Sequence, residues 1–140
     1  MHRRAWATAI LFAAAACGRA PSDATPEGAV EAFVRALDDA PRDPTAASRA
    51  YALLDVDARH ALEARAARAS SIDGHPAKPE SMLAPVWSPP RFSIETTKTN
   101  LQDAMHATVD VFGIDPSTQH ARIPVVREGE RWRIVIVIPP

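Results

Sequence analysis

The apolar positions change their period partway along the chain, and the change divides it into a helical half and a stranded half. Between Thr25 and about Ser70 they recur at the spacing of one helix face. Thr25 can cap a first helix, with Pro26 at its first position and Glu27 in its first turn, where a carboxylate complements the helix dipole. Val30, Phe33, Val34 and Leu37 form its apolar stripe, and Asp38 to Asp43, with Pro41, breaks it. Asp43-Pro44 repeats the cap-then-proline start and predicts a second, shorter helix with Ala47, Ala50, Tyr51 and Leu54 on one face. Asp55 caps a third running to about Ser70, with Val56, Leu62, Ala66 and Ala69 on one side. Arg59, Arg65 and Arg68 lie largely elsewhere on it, as a contact for anionic lipid or phosphate or, the reading we favour, a solvated face.

From Arg91 onward the period is two, the strand signal. Phe92, Ile94 and Thr96 alternate with Ser93, Glu95 and Thr97, and a turn is expected near Asn100. Met105, Ala107, Val109 and Val111 then alternate with His106, Thr108, Asp110 and Phe112, before a turn at Gly113, Asp115 and Pro116. Ala121, Ile123 and Val125 define a third strand, in which Pro124 predicts an edge position or a bulge because it cannot donate to a ladder. Glu128-Gly129 makes a tight hairpin into Trp132, Ile134, Ile136 and Ile138. Val135 and Val137 on the opposite face of this last strand predict that it is covered on both sides and lies centrally in the sheet. Between the halves, the proline-rich stretch Ser71 to Pro90 carries Met82, Leu83, Val86 and Trp87, predicted to form a short helical turn after Pro79 over an open end of the core. Met82, Leu83 and Trp87 are then either a lid over a ligand cavity or, as we favour, a plug that completes the core.

The start of the chain carries an address. Met1, His2, Arg3 and Arg4 form a basic segment, and Ala5 to Ala16 an apolar run of export-signal length, too short to span a bilayer. It ends Ala14-Ala15-Ala16-Cys17-Gly18, which resembles a bacterial lipobox, with Ala14 where such sequences most often have Leu. Ala14 and Ala16 also suit an ordinary secretory cleavage. Lipidation of Cys17 accounts for the single cysteine, which in an oxidising compartment would otherwise be an unpaired thiol. The expected organisation is a signal peptide over 1–16, a tether over 17–24 and one domain over 25–140. Gly18 rather than Asp after the cysteine points to the outer membrane over the inner, on the periplasmic side.

Composition narrows the chemistry. The precursor has 16 Lys+Arg against 17 Asp+Glu, and losing Arg3 and Arg4 moves the formal balance from −1 to −3, which argues against nucleic acid as a partner. His60, His75, His106 and His120 show no close pairing, so no metal site is expected. Every glycine is isolated, which excludes a phosphate loop or dinucleotide fingerprint, and no serine stands in a Gly-x-Ser-x-Gly frame. No cofactor is expected.

Helices followed by a four-strand antiparallel meander ending in Gly129-Glu130-Arg131-Trp132-Arg133-Ile134-Val135 resemble the cone-shaped α+β fold of the nuclear transport factor 2-like superfamily. The likeness is carried by Thr25 to Leu37, similar to that family's opening helix, and by Gly129 to Val135, similar to its closing strand. It implies a curved sheet wrapped around the first helix, with a cavity that members use for binding, catalysis or pairing, so it does not fix a function. Proton-shifting enzymes of that kind use a carboxylate and an acidic donor inside the cone. The candidates here are Tyr51, His106 and Asp110, but alternation predicts that Asp110 and His106 point to solvent and that Tyr51 packs in the helical layer with its hydroxyl at the rim. The leading expectation is therefore a non-enzymatic, membrane-anchored periplasmic domain that binds a protein partner, a second copy or a small apolar ligand. The alternatives are a small proton-transfer or hydrolytic enzyme and a purely structural envelope subunit.

Overall fold

The structure, a computed structural model, describes residues 22–139. The expected signal peptide, Cys17 and most of the expected tether lie outside the described residues. Three helices, α1 (Pro26–Asp39), α2 (Ala46–Ala52) and α3 (Val56–Asp73), precede four strands, β1 (Thr96–Leu101), β2 (His106–Phe112), β3 (His120–Glu128) and β4 (Arg131–Ile134). The strands form one antiparallel sheet in the order β1-β2-β3-β4, so the fold is α+β with the helices N-terminal to the sheet. No helix among the described residues is long and apolar enough to cross a membrane.

The first helix starts where its cap chemistry requires. The Thr25 hydroxyl accepts from the Gly28 N–H at 3.1 Å, satisfying one of the donors that a helix N-terminus leaves open. A Cβ on Gly28 would run into the Ser22 carbonyl, so glycine lets the incoming chain cross the helix closely. Val30 and Phe33 are fully buried and Leu37 half-buried, and α1 packs against β1, β2 and β4.

The next two helices depart from expectation in detail. Asp43 does not start α2; its carboxylate holds the Thr45 N–H and hydroxyl and the Arg49 guanidinium, and the helix begins at Ala46. Ala46 and Ala50 are consequently the buried residues, rather than Ala47. Asp55 caps α3 through the Ala58 N–H at 3.3 Å, which leaves Val56 exposed and puts Ala58, Leu62 and Ala66 inward at four-residue spacing. The helix runs past Ser70 to Asp73 and ends at Gly74, whose φ of 69° is the left-handed stop that glycine takes without strain.

In the sheet, the first strand is displaced. Phe92 and Ile94 pack half-buried against the core ahead of the ladder, and pairing begins only at Thr96, opposite Phe112. Asn100 lies inside β1, because the turn is made by Asp103, whose carboxylate accepts from the Met105 and His106 N–H groups. Pro124 sits in an interior strand, with an unbroken register against β2, and is therefore neither at the sheet edge nor in a bulge. Its carbonyl accepts from the Val135 N–H at 3.0 Å, but it has no N–H to return, and β4 ends at Ile134. The last strand is thus short and lies at an edge rather than centrally. Its outer backbone groups are occupied: Trp132 N–H donates to the Asp23 carbonyl, Ile134 N–H to that of Leu53, and Asp55 N–H to that of Ile134.

The core between the layers gathers Phe33, Leu54, Leu62, Val109, Val111, Val125 and Ile134, all fully buried. Leu83 joins them from the proline-rich segment, where a single 3-10 turn at Pro79–Met82 packs on α2 and α3. Met82, Val86 and Trp87 are half-buried on the same cluster, and the Trp87 ring meets Phe33 edge-on, with centroids 4.9 Å apart at 60°. The backbone bonds of Leu83, Val86 and Trp87 reach no further than Glu80 and Leu83, so side-chain burial holds the segment in place.

A candidate ligand cleft between the first helices and the last strand

The helical period that buries one stripe of α1 generates a second stripe beside it. Ala32, Arg35, Ala36 and Asp39 follow at intervals of three and four and line a cleft of roughly 640 Å³. Arg49, Ala52 and Leu53 close it from the end of α2, Arg131 and Arg133 from β4, and Ser22 and Asp23 also line it. Its lining combines the apolar Ala32, Ala36, Ala52 and Leu53 with the guanidiniums of Arg35, Arg49, Arg131 and Arg133.

Carboxylates fix three of the four arginines. Asp23 takes the Arg131 Nη1 at 2.8 Å through one oxygen and the Arg133 Nη1 at 2.7 Å through the other. Burial pushes the Asp23 carboxyl up, but the hydrogen bond from Arg133 and the charge of Arg131 outweigh it and hold it below the usual carboxylate range. Arg49 is fixed by Asp43 at 2.8 Å and by the Thr45 hydroxyl at 2.8 Å, with Asp39 at 3.8 Å. The hydrogen bond from Thr45, more than that from Arg49, draws the Asp43 carboxyl down to about 2. Arg35 is exposed and makes no ion pair among the described residues. Asp23, expected in the tether, is instead part of this site.

The residues singled out for catalysis are not brought together. The Tyr51 hydroxyl donates to Glu63 at 2.7 Å between α2 and α3, and burial, more than the neighbouring carboxylate, pushes it up to about 12. His106 is exposed at the β1–β2 turn, 2.9 Å from Asp103. Asp110 does not point to free solvent: it is 6 % exposed on the sheet face opposite the core, receiving the Arg122 Nε at 2.9 Å, the Asn100 amide at 2.7 Å and the His120 ring at 3.2 Å. Its register neighbours impose this, since Lys98 and Arg122 flank it across β1 and β3 and the long polar side chains close over it. The Arg122 hydrogen bond in particular holds its carboxyl below the usual range. His120 stacks on Phe112 at 4.7 Å, completing a polar patch in which the carboxylate already has three partners. Met82, Leu83 and Trp87 line neither the large cleft nor a second one of roughly 430 Å³ between α1 and the Phe92–Thr97 stretch.

Sequence reasoning missed the cleft. Its one signal was the spacing of Ala32, Arg35, Ala36 and Asp39 beside the apolar stripe, and nothing in that spacing names β4 as the facing wall. Among the described residues no three histidine, cysteine, aspartate or glutamate side chains converge as a metal site would require. The chain matches no model of a known protein family, no curated protein and no solved structure in the comparisons made.

Proposed function

We propose that the protein is a lipid-anchored cell-envelope domain, acylated at Cys17 and facing the periplasm, which binds a ligand without chemical turnover in the cleft between α1, α2 and β4. The observation that carries the reading is the cleft itself, lined by the apolar Ala32, Ala36, Ala52 and Leu53 together with arginines, in a domain whose Tyr51, His106 and Asp110 serve separate structural bonds. Helices before a β1-β2-β3-β4 meander, with α1 across the sheet, support the nuclear transport factor 2-like cone as the finer description. Phe33, Leu83 and Trp87 pack together between the layers, which supports a binding site in the cleft beside α1 rather than one inside such a cone.

Two measurements test the proposal on the full chain expressed in a bacterial host. Intact-mass analysis should find Cys17 as the first mature residue with a lipid increment, and Cys17→Ser should release the protein from membranes or leave the precursor uncut. Native mass spectrometry should find an amphiphilic small molecule or the contacting partner, lost on Ala32→Phe, which fills the cleft from the surface side of α1. A mature chain without lipid, or a ligand retained by Ala32→Phe, would refute the corresponding half.

A further inference from the structure

Three features of the cleft restrict what it accepts. The first is charge: Arg35, Arg49, Arg131 and Arg133 face it against only Asp23 and Asp39 among its lining residues. A guanidinium has five N–H donors, and Asp23 engages one nitrogen each of Arg131 and Arg133; Arg133 Nη1 also meets the Trp132 carbonyl at 3.0 Å and its Nε lies 4.0 Å from Glu128, so the pair is oriented with Nη2 of Arg133 and the remaining nitrogens of Arg131 left open. Arg35 has no carboxylate within ion-pair distance among the described residues; it stands where the two clefts adjoin, and Glu31, Asp38 and Glu95 line the second one beside it without pairing with it. Forked guanidiniums of this kind match the planar oxygen pairs of phosphate better than a single ammonium would. The second feature is the apolar part of the lining, where alanines leave room for a short apolar body beside a charged head. The third is position. Ser22, one of the lining residues, follows Cys17 by five residues, and an extended chain spans at most about 3.3–3.6 Å per residue, so this part of the lining lies within about 18 Å of the acylated cysteine.

We propose that the cleft receives the phosphate headgroup of an anionic phospholipid from the membrane in which Cys17 is anchored, with Arg35 as the free contact and Arg131 and Arg133 as the oriented pair. The glycerol backbone and the first methylenes then lie over Ala32, Ala36 and Ala52. This rests on the cleft as the binding site and on Cys17 as the anchor. Its effect is to fix the orientation of the domain on the bilayer, because a second contact beside the anchor makes the attachment bivalent.

The test uses the protein purified from membranes in a neutral maltoside detergent, with dihexanoyl-phosphatidylglycerol as the probe and its binding read by the rise in thermal midpoint. Arg35→Gln should weaken binding about fivefold, the size of one cation near an anionic lipid surface, and Arg35→Lys by less. Arg68→Gln removes the same charge from the exposed face of α3 and should leave affinity within about twofold. Equal weakening by Arg35→Gln and Arg68→Gln would overturn the proposal in favour of general charge attraction. Binding of inorganic phosphate as tight as that of the lipid would overturn the headgroup as its source, and equal affinity for dihexanoyl-phosphatidylcholine would overturn the role of net charge. Ala32→Phe separates this proposal from the one it rests on. Lipid binding abolished by Ala32→Phe but indifferent to Arg35→Gln keeps the cleft and removes the headgroup contact; binding indifferent to both removes the cleft.

Discussion

Replacing Leu83 with alanine asks whether the proline-rich segment is a plug or a lid. Leu83 is 1 % exposed and belongs to the same cluster as Phe33, Leu54 and Leu62, although its own backbone makes only local hydrogen bonds. Truncating a fully buried leucine loses its transfer free energy and leaves a cavity, together about 2–5 kcal/mol. The site is walled by two helices whose own residues are already packed, so collapse is limited and a value near 3 kcal/mol is expected. For a folded unit of about 118 residues the unfolding entropy near the midpoint is about 0.25 kcal/mol/K, which turns 3 kcal/mol into a drop of about 12 °C. Urea unfolding followed by circular dichroism and by tryptophan fluorescence should show the midpoint falling at unchanged slope, with the two probes coincident. A plug unfolds with the domain, so the hydrogen-bonded amides of Leu83, Val86 and Trp87 should exchange as slowly as those of β2 and β3, and Leu83→Ala should accelerate both together. A loss below about 0.5 kcal/mol would refute the reasoning, because a residue of an opening lid contributes little to the global transition.

Asp23→Asn should cost about 1.5–3 kcal/mol, because Arg133 is only 16 % exposed and loses its charge-assisted partner, and chemical denaturation at pH 7 measures it. The Asp23 carboxyl is depressed when folded, so its contribution is full above about pH 5, is lost as pH falls through and below its unfolded value of 3.8, and should be missing from the acid limb of the variant's stability curve. Asp110→Ala should cost less, about 1–2 kcal/mol, since Arg122 and His120 are exposed enough to be taken up by water; a larger loss in urea unfolding would show that the patch is structurally deeper than its geometry indicates. Tyr51 is the only tyrosine, so ultraviolet titration of the folded chain should give one transition near 12, and the stability it contributes is present below its ordinary value of 10.0 and lost as pH rises toward 12. A transition near 10 would place the hydroxyl in open water.

The local signals in the chain were accurate where one residue acts on its immediate neighbours. Thr25-Pro26-Glu27 placed the start of α1 because a cap is made within three residues, and Glu128-Gly129 placed the β3–β4 turn because Gly129 takes a φ of 64° that other residues avoid. Alternation through Ala107, Val109 and Val111 identified the inward face of β2 for the same reason: the strand period is a property of the backbone. The same alternation predicted Asp110 as solvent-facing, which was right about the face and wrong about its exposure. What covers Asp110 comes from Asn100, His120 and Arg122, on two other strands.

Register, the edge position of the last strand and the cleft were settled only by tertiary structure. Nothing near Ile134 in the sequence says that Pro124 lies one position past its partner, yet that missing N–H, with Asp23 and Leu53 occupying the outer side, makes β4 a short edge strand despite its apolar run. Asp103 moved the β1–β2 turn by satisfying two N–H groups, and so shifted the pairing of β1 away from Phe92 and Ile94. The convergence of Arg35 with Arg131 and Arg133 depends on α1 packing across β4, a contact between residues nearly a hundred positions apart. Sequence alone determined which residues avoid water and where the backbone changes direction, because those preferences act within a few residues; which surfaces then meet was decided by the joint packing of the two layers.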